Sequence, residues 1–160
     1  MGIRKTGGGK KSRQMRSVPV ALMVGLLLSA TVHAGDSDST WTDRANQLTW
    51  ARQDNGTDVH WRQATTYCAE LRLGSYSNWR LPTIEEIATI YDAGEVSTCG
   101  QSECKIKPGI TLSSSVEWTS SAGKTSSEAW VFDFGSGNQA SLTRIVSISK
   151  RALCVRKSEK

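Results

Sequence analysis

Asn78-Trp79-Arg80-Leu81-Pro82-Thr83-Ile84-Glu85-Glu86-Ile87 carries the clearest local instructions in this chain. Pro82 disfavours helix at Leu81, so the chain should arrive extended. Thr83 and Glu86 then spell a capping box. The Thr83 hydroxyl can accept from the Glu86 amide while the Glu86 carboxylate reaches back to the Thr83 amide. Ile84, Ile87, Ala88 and Tyr91 mark one apolar helical face, and Gly94 is the expected stop. Trp79, Arg80, Pro82, Thr83 and Glu86 therefore read as structural residues. Arg80 is expected to pair with an acid inside the domain, Asp133 or Glu85, because buried arginines are usually paired.

Upstream of that stretch, residues 48–52 are β-prone, and Asp54-Asn55-Gly56-Thr57 is a turn signal. A first helix is expected over 58–73. Trp61, Ala64, Cys68 and Leu71 share one face, with Asp58 as N-cap and Gly74 as stop. Downstream, residues 95–116 are long and weakly patterned, the mark of a functional or mobile loop. Strands are expected near 116–120, 129–134, 139–143 and 152–156, with a turn at Gly135-Ser136-Gly137-Asn138. Trp130, Phe132 and Phe134 fall on one face of the second of these strands. Two helices followed by short antiparallel strands make the fold class α+β. Trp61, Trp79 and Trp130 are expected in the core, whereas Trp41 and Trp118 are freer to be partly exposed.

The N-terminal segment reads differently. Six basic residues precede an apolar run over 18–28, which is too short to span a bilayer, and then Val32-His33-Ala34. Residues 1–34 are expected to be a signal peptide cleaved after Ala34, placing the protein in the periplasm or outside the cell. Membrane contact is then transient and confined to that signal. Residues 35–45 are expected to form a loose N-terminus. All 15 acidic residues but only 14 of the 20 basic ones follow position 34, so the remaining chain carries a net charge of −1. The basic character of the whole chain thus sits in the signal, and nothing points to nucleic acid.

Cys68, Cys99, Cys104 and Cys154 all lie beyond the signal, an even number in an exported chain, which points to disulfides. Counting alone leaves three pairings. Spacing reads Cys99–Cys104 as a local loop staple, leaving Cys68 with Cys154. No metal site is expected: the spacing is not C-x-x-C, and His60 is the one histidine after the signal. No cofactor is expected, as no phosphate-binding glycine loop occurs. No enzyme is expected either, since no Ser or Cys stands in a motif with an activating base.

Several pieces together resemble the Lcl C-terminal domain family. They are Leu48-Thr49-Trp50, Trp61 through Cys68, the W-R-L-P-T step at 79–83, Trp118-Thr119-Ser120-Ser121, Ala129 through Phe134, and Leu153-Cys154-Val155-Arg156. The resemblance covers 46–157, with 158–160 as a tail. It implies a C-type-lectin-like fold: two helices on a small twisted antiparallel sheet, with a disulfide from first helix to last strand. It also implies an extracellular recognition role, since some members bind sulfated polysaccharides. This chain lacks their collagen-like stalk and the E-P-N, Q-P-D and W-N-D calcium-lectin motifs.

The expected function is an exported recognition module. It would bind a polysaccharide, a sulfated one included, or a cell-surface protein through loops around 95–128. Lys105, Lys107, Lys124 and Trp118 are the candidate ligand residues, the lysines as a local basic patch. The alternatives are a structural or assembly protein of the cell envelope and, by fold analogy alone, an enzyme related to the formylglycine-generating enzymes.

Overall fold

The computed structural model describes residues 1–3, 7 and 39–159. Apart from residues 1–3 and 7, the expected signal peptide lies outside the described residues. Elements run in the order β1 (Thr40–Asp43), β2 (Leu48–Ala51), α1 (Trp61–Glu70), α2 (Ile84–Ala88), β3 (Ser97–Cys99), β4 (Ser102–Cys104), β5 (Val116–Ala122), β6 (Glu128–Asp133), β7 (Asn138–Thr143), β8 (Lys150–Arg151) and β9 (Val155–Lys157). The fold class is α+β.

The capping box at Thr83 fixes the start of α2. Thr83 Oγ1 accepts from the Glu86 amide at 3.2 Å, and the Thr83 amide donates to Glu86 Oε2 at 2.9 Å. Folding back in this way lays the Glu86 carboxylate against Arg80, which grips it with two bonds of 2.7 Å. Arg80 is therefore paired with Glu86 rather than with Asp133 or Glu85. Glu85 is exposed. Asp133 is occupied at its own turn, accepting from the Gly135 amide and the Ser136 hydroxyl. The Arg80 guanidinium holds the Glu86 carboxyl below the usual carboxylate range, against the opposing effect of burial. The helix stops at Thr89 instead of Gly94, because the next turn drops Ile90 into the core.

The first helix is shorter than the expected 58–73. Its cap is His60, whose Nδ1 accepts from the Gln63 amide while Gln63 Oε1 accepts from the His60 amide. Asp58 does not cap the helix: it is held by Arg151 and by the Ser149 amide. At the far end Leu71 turns extended, and Gly74 sits at φ +62° in the following turn, not at the cap.

Residues 35–45 are not a loose end where they are described. β1 pairs antiparallel with β2, setting Trp41 opposite Trp50, and Asp43 closes the connecting turn by accepting from the Ala45 and Asn46 amides. β9 adds to the other edge of β2. Within 95–116, β3 and β4 form a hairpin across which Cys99 and Cys104 are bonded. Gly100, at φ +61°, has no substitute there, since a Cβ would stand 2.4 Å from the Ser113 carbonyl oxygen. The four-stranded sheet has the order β7-β6-β5-β8, and β8 joins it parallel to β5, so the sheet is mixed rather than purely antiparallel. Of the expected closing strand over 152–156, Val155 and Arg156 do pair in β9, but residues 152–154 form a crossing. Its flanks belong to different sheets, β8 to one and β9 to the other. The tail is tied as well: the Ser158 hydroxyl bonds Thr49 Oγ1 at 2.9 Å, and Glu159 accepts from Arg156.

Period-two alternation explains how this small domain fills two cores. Along β6, Phe132 joins Phe134 in one apolar cluster with Ile84, Ile87 and Trp50, and Trp130 packs partly against it. Ala129 and Val131 point into the other, with Ala64, Cys68, Trp79 and Trp118. The crossing segment repeats the pattern: Leu153 and Val155 feed the first cluster, Ala152 and Cys154 the second. The two helices thus serve different cores instead of lying together on one sheet face.

Cys68 on α1 is bonded to Cys154 on the crossing, a sequence separation of 86. In the chain-entropy account this link removes about 4–5 kcal/mol of unfolded-state freedom, against about 2 kcal/mol for the short Cys99–Cys104 loop. Replacing Cys68 and Cys154 together by Ala should lower the unfolding free energy roughly twice as much as replacing Cys99 and Cys104. Urea unfolding of the two double variants checks this order.

Candidate functional site

The Ala51–Arg52 end of β2 and the outer face of α1 frame an open groove of about 550 Å³, lined by Arg52, Gln53, Asp54, Tyr67, Leu71, Leu73, Gly109 and Thr111 among others. Arg52 organises it. Its Nε donates to the Thr40 carbonyl at 2.9 Å and its Nη1 to the Gly109 carbonyl at 3.2 Å, while its own carbonyl accepts from the Thr111 amide. Gly109 is required by this closeness. Its φ is +99°, and a Cβ would come within 2.8 Å of the Trp41 ring. The long loop is therefore bolted to the β1–β2 hairpin by one guanidinium.

Tyr67 stands at the edge of this groove and also lines a second, of about 640 Å³, with Asn55, His60, Arg62, Gln63 and Glu70. The residue is 36% exposed, and burial followed by the nearby Asp54 charge raises its phenol above the usual range. The two grooves share Tyr67, and each has one arginine among its lining residues, Arg52 in the first and Arg62 in the second. A larger groove of about 660 Å³ lies beside Glu85, Glu86 and Lys157, but Glu86 there is already committed to Arg80 and Thr83.

Asp54 is nearly buried and fully used. It accepts from the Ser113 amide at 2.6 Å, the Ser113 hydroxyl at 2.7 Å and the Gly56 amide at 2.8 Å. Arg151 Nε donates in turn to Ser113 Oγ at 2.9 Å. Behind this network lies Glu117, wholly buried, with neither carboxyl oxygen in a hydrogen bond of ordinary geometry. Asp54 and the Leu153 backbone are close enough to act on it electrically. Burial above all, and then the Asp54 charge, push the Glu117 carboxyl well above the usual range. Sequence pattern gave no hint of this acid, because Val116-Glu117-Trp118 reads as an ordinary edge of a strand. Only the burial of both faces of β5 exposes it as unusual.

The residues singled out from sequence do not converge. Trp118 is wholly buried, its indole N–H donating to the Val59 carbonyl at 2.8 Å, so it has no surface to offer a ligand. The reason is its place on β5, an inner strand flanked by β6 and β8. Lys105 lies where its amide bonds the Phe134 carbonyl, just beyond one end of β6. Lys124 lies at the other end, where its amide bonds Ser141 Oγ beside Glu128. A six-residue strand separates them, about 20 Å, so the lysines form no single patch. Lys107 is engaged by Asp43 at 3.7 Å. Of the expected core tryptophans, Trp79 is buried while Trp61 and Trp130 are half-buried. Among the described residues there is no cluster of three metal-ligating side chains.

Residues 39–156 match the Lcl C-terminal domain, most of the chain and every element from β1 into β9. The chain belongs to the Lcl C-terminal domain family. No curated protein sequence matches it. In this Lcl C-terminal domain the W-R-L-P-T step is the capped start of α2, and the C-V-R ending is the crossing plus β9. Both family signatures are thus explained by packing and pairing, while the groove residues Arg52 and Tyr67 lie outside them. Both disulfides suit an oxidising compartment. Among the described residues no helix is long and apolar enough to cross a membrane.

Because the folded Glu117 carboxyl titrates above its unfolded counterpart, its contribution to stability is complete in acid. That contribution is lost as the pH rises from the ordinary carboxyl range through the raised folded value. The Glu117→Gln variant lacks this titration. Its stability relative to wild type should climb with pH across that window, by at most about 1.4 kcal/mol per pH unit. Parallel stability curves for the two proteins in urea titrations at several pH values would rule out the buried-acid account.

Proposed function

We propose that this domain is an exported recognition module that binds a polysaccharide chain along the Tyr67 trench. The observation that carries the reading is the sharing of Tyr67 by two neighbouring open grooves, with Arg52 in one and Arg62 in the other. An exposed aromatic face suits the apolar face of a sugar ring. Arg62 suits carboxylate or sulfate substituents through paired N–H donors, while Arg52, already bonded to the Thr40 and Gly109 carbonyls, holds the opposite wall. An open trench accommodates a polymer, whereas an isolated small molecule is better held in a closed pocket. The scaffold beneath is rigid, held by the Cys68–Cys154 bond and the Arg52 bolt, as loop-built sites require. The family resemblance to C-type-lectin-like folds supports the same reading.

The ligand surface is then narrower than the whole of 95–128: only the Gly109–Thr111 part of that region lines the trench. All four cysteines are paired, which counts against a thiol-using enzyme of the formylglycine-generating kind. Residence outside the cytoplasm fits both the disulfides and the basic-then-apolar N-terminus.

The test is binding of the oxidised protein, presented multivalently, to neutral and sulfated glycans at two salt concentrations, with and without calcium. Salt-sensitive, calcium-independent binding to sulfated chains is expected. Tyr67→Ala should weaken it by about 1–2 kcal/mol, roughly 5–30-fold. Changing Lys105, Lys107 and Lys124 together should weaken it less than Tyr67→Ala does. Failure to bind any glycan, or undiminished binding by Tyr67→Ala, overturns the reading.

A further inference from the structure

The stretch Thr143-Arg144-Ile145-Val146-Ser147-Ile148-Ser149-Lys150 presents apolar side chains to solvent where a soluble surface would hide them. Ile145 is 85% exposed, Ile148 76% and Val146 36%. Scattered exposed aliphatics are ordinary, but three within four residues are not. The segment is also held firmly. The Val146 amide bonds the Thr143 carbonyl and the Lys150 amide bonds the Ser147 carbonyl, making two successive turns. One flank is fixed by Arg144, whose amide donates to Ser127 and whose carbonyl accepts from Trp61. The other is fixed by Lys150, whose carbonyl accepts from Val59, and by Ser149, whose amide donates to Asp58. Ser149 adopts φ +55°, a costly conformation for a residue with a side chain, and it persists because these bonds impose it. The fold thus sustains strain to keep an aliphatic tip projecting.

Charge around the tip selects its occupant. From Phe134 to Ser158 the sequence has no acidic residue and carries Arg144, Lys150, Arg151, Arg156 and Lys157. Arg151 is neutralised by Asp58, and Arg156 by Glu159. Arg144 lies over the Trp61 ring at 4.1 Å with Nε on the Glu128 carbonyl, and Lys150 Nζ meets the Ile148 carbonyl. The Arg144 partners are neutral, so its charge stays open beside the exposed isoleucines, while the charge of Lys150 is balanced in part by the nearby Asp58 carboxylate. Glu128 directs its carboxylate to Thr125 and Ser141.

From this geometry we propose that the 143–150 turns form a docking tip for an anionic phospholipid surface. The isoleucines would enter the acyl boundary while Arg144 and Lys150 meet headgroup phosphates. A second copy of the chain is disfavoured, because a self-complementary contact would face the two cations with their own like. A protein partner is disfavoured by the tip's size and by its lack of exposed aromatic anchors, which dominate protein interfaces. This goes beyond the membrane contact expected from the sequence, which is confined to residues 1–34. It is also independent of the glycan reading.

The experiment is cosedimentation of the exported protein with phosphatidylglycerol vesicles and with phosphatidylcholine vesicles, at low and high salt. Wild type should bind phosphatidylglycerol, more weakly in high salt, and phosphatidylcholine poorly. Ile145→Ser with Ile148→Ser should lower binding roughly tenfold or more. Lys150→Gln should reduce the difference between the two lipids. Circular dichroism and thiol titration confirm that each variant is folded and oxidised. Absence of binding to phosphatidylglycerol overturns the proposal, as does equal affinity for both lipids or undiminished binding by the double variant. Loss of a crosslinked protein partner in the double variant, without lipid binding by wild type, would assign the tip to a protein interface and overturn it too.

Discussion

The crossing at Ala152-Leu153-Cys154 is the constraint on which the rest depends. It carries the chain from the four-stranded sheet to the three-stranded one, and its side chains alternate between the two cores. The Ala51 amide bonds the Cys154 carbonyl, and Asn55 exchanges bonds with Ala152 through its amide and its side-chain oxygen. The Cys68 bond then fixes α1 to the same point. Were the crossing shifted by one residue, every side chain would face the wrong core, as in any strand slip. The disulfide and the Asn55 clamp both oppose such a slip.

Around that crossing the polar groups are handled in contrasting ways. Arg80, Glu86 and Thr83 form a closed set in which every charge has a partner. Asp54, Ser113, Arg151 and Asp58 form a second chain, running from the trench to the base of the aliphatic tip. Glu117 stands beside this second chain without joining it by an ordinary hydrogen bond. One network thus links the wall of the Arg52 groove to the support of Ser149. Glu117, beside it, adds a stability contribution that is lost as the pH rises, opposite in sense to that of Glu86.

Local chemistry was legible in the sequence, and distant chemistry was not. The capping box at Thr83 involves residues three apart, and both disulfides followed from cysteine spacing and compartment. The alternation of β6 was also plain, since it is a property of one strand. β1 was missed because the polar, small run over 35–40 leads into it and Trp41 alone marks no pattern; its reason to be a strand is Trp50 across the hairpin. Trp118 was misplaced because exposure is decided by what flanks β5, and β8 reaches it from far along the chain. His60 was overlooked as a cap because Asp58 fits the usual preference, yet Asp58 is claimed by Arg151. The lysine patch failed for the same reason: nearness in sequence to a loop says little about which end of a strand a side chain occupies. Tyr67 could have been found, since it lies off the Trp61–Ala64–Cys68 stripe and is the large aromatic on the helix's outer face.

The pairing of β2 with β9 has a consequence for when the domain can close. Thr49 and Ser158 are 109 residues apart in sequence yet bonded in the fold. The central strand of the three-stranded sheet therefore stays half-unpaired until the ribosome has made that whole span. A domain so arranged cannot close this sheet before residue 158 has been made, and contacts of this range form slowly. Until then β2 has only β1 as a partner, so one of its edges stays open for longer than the other.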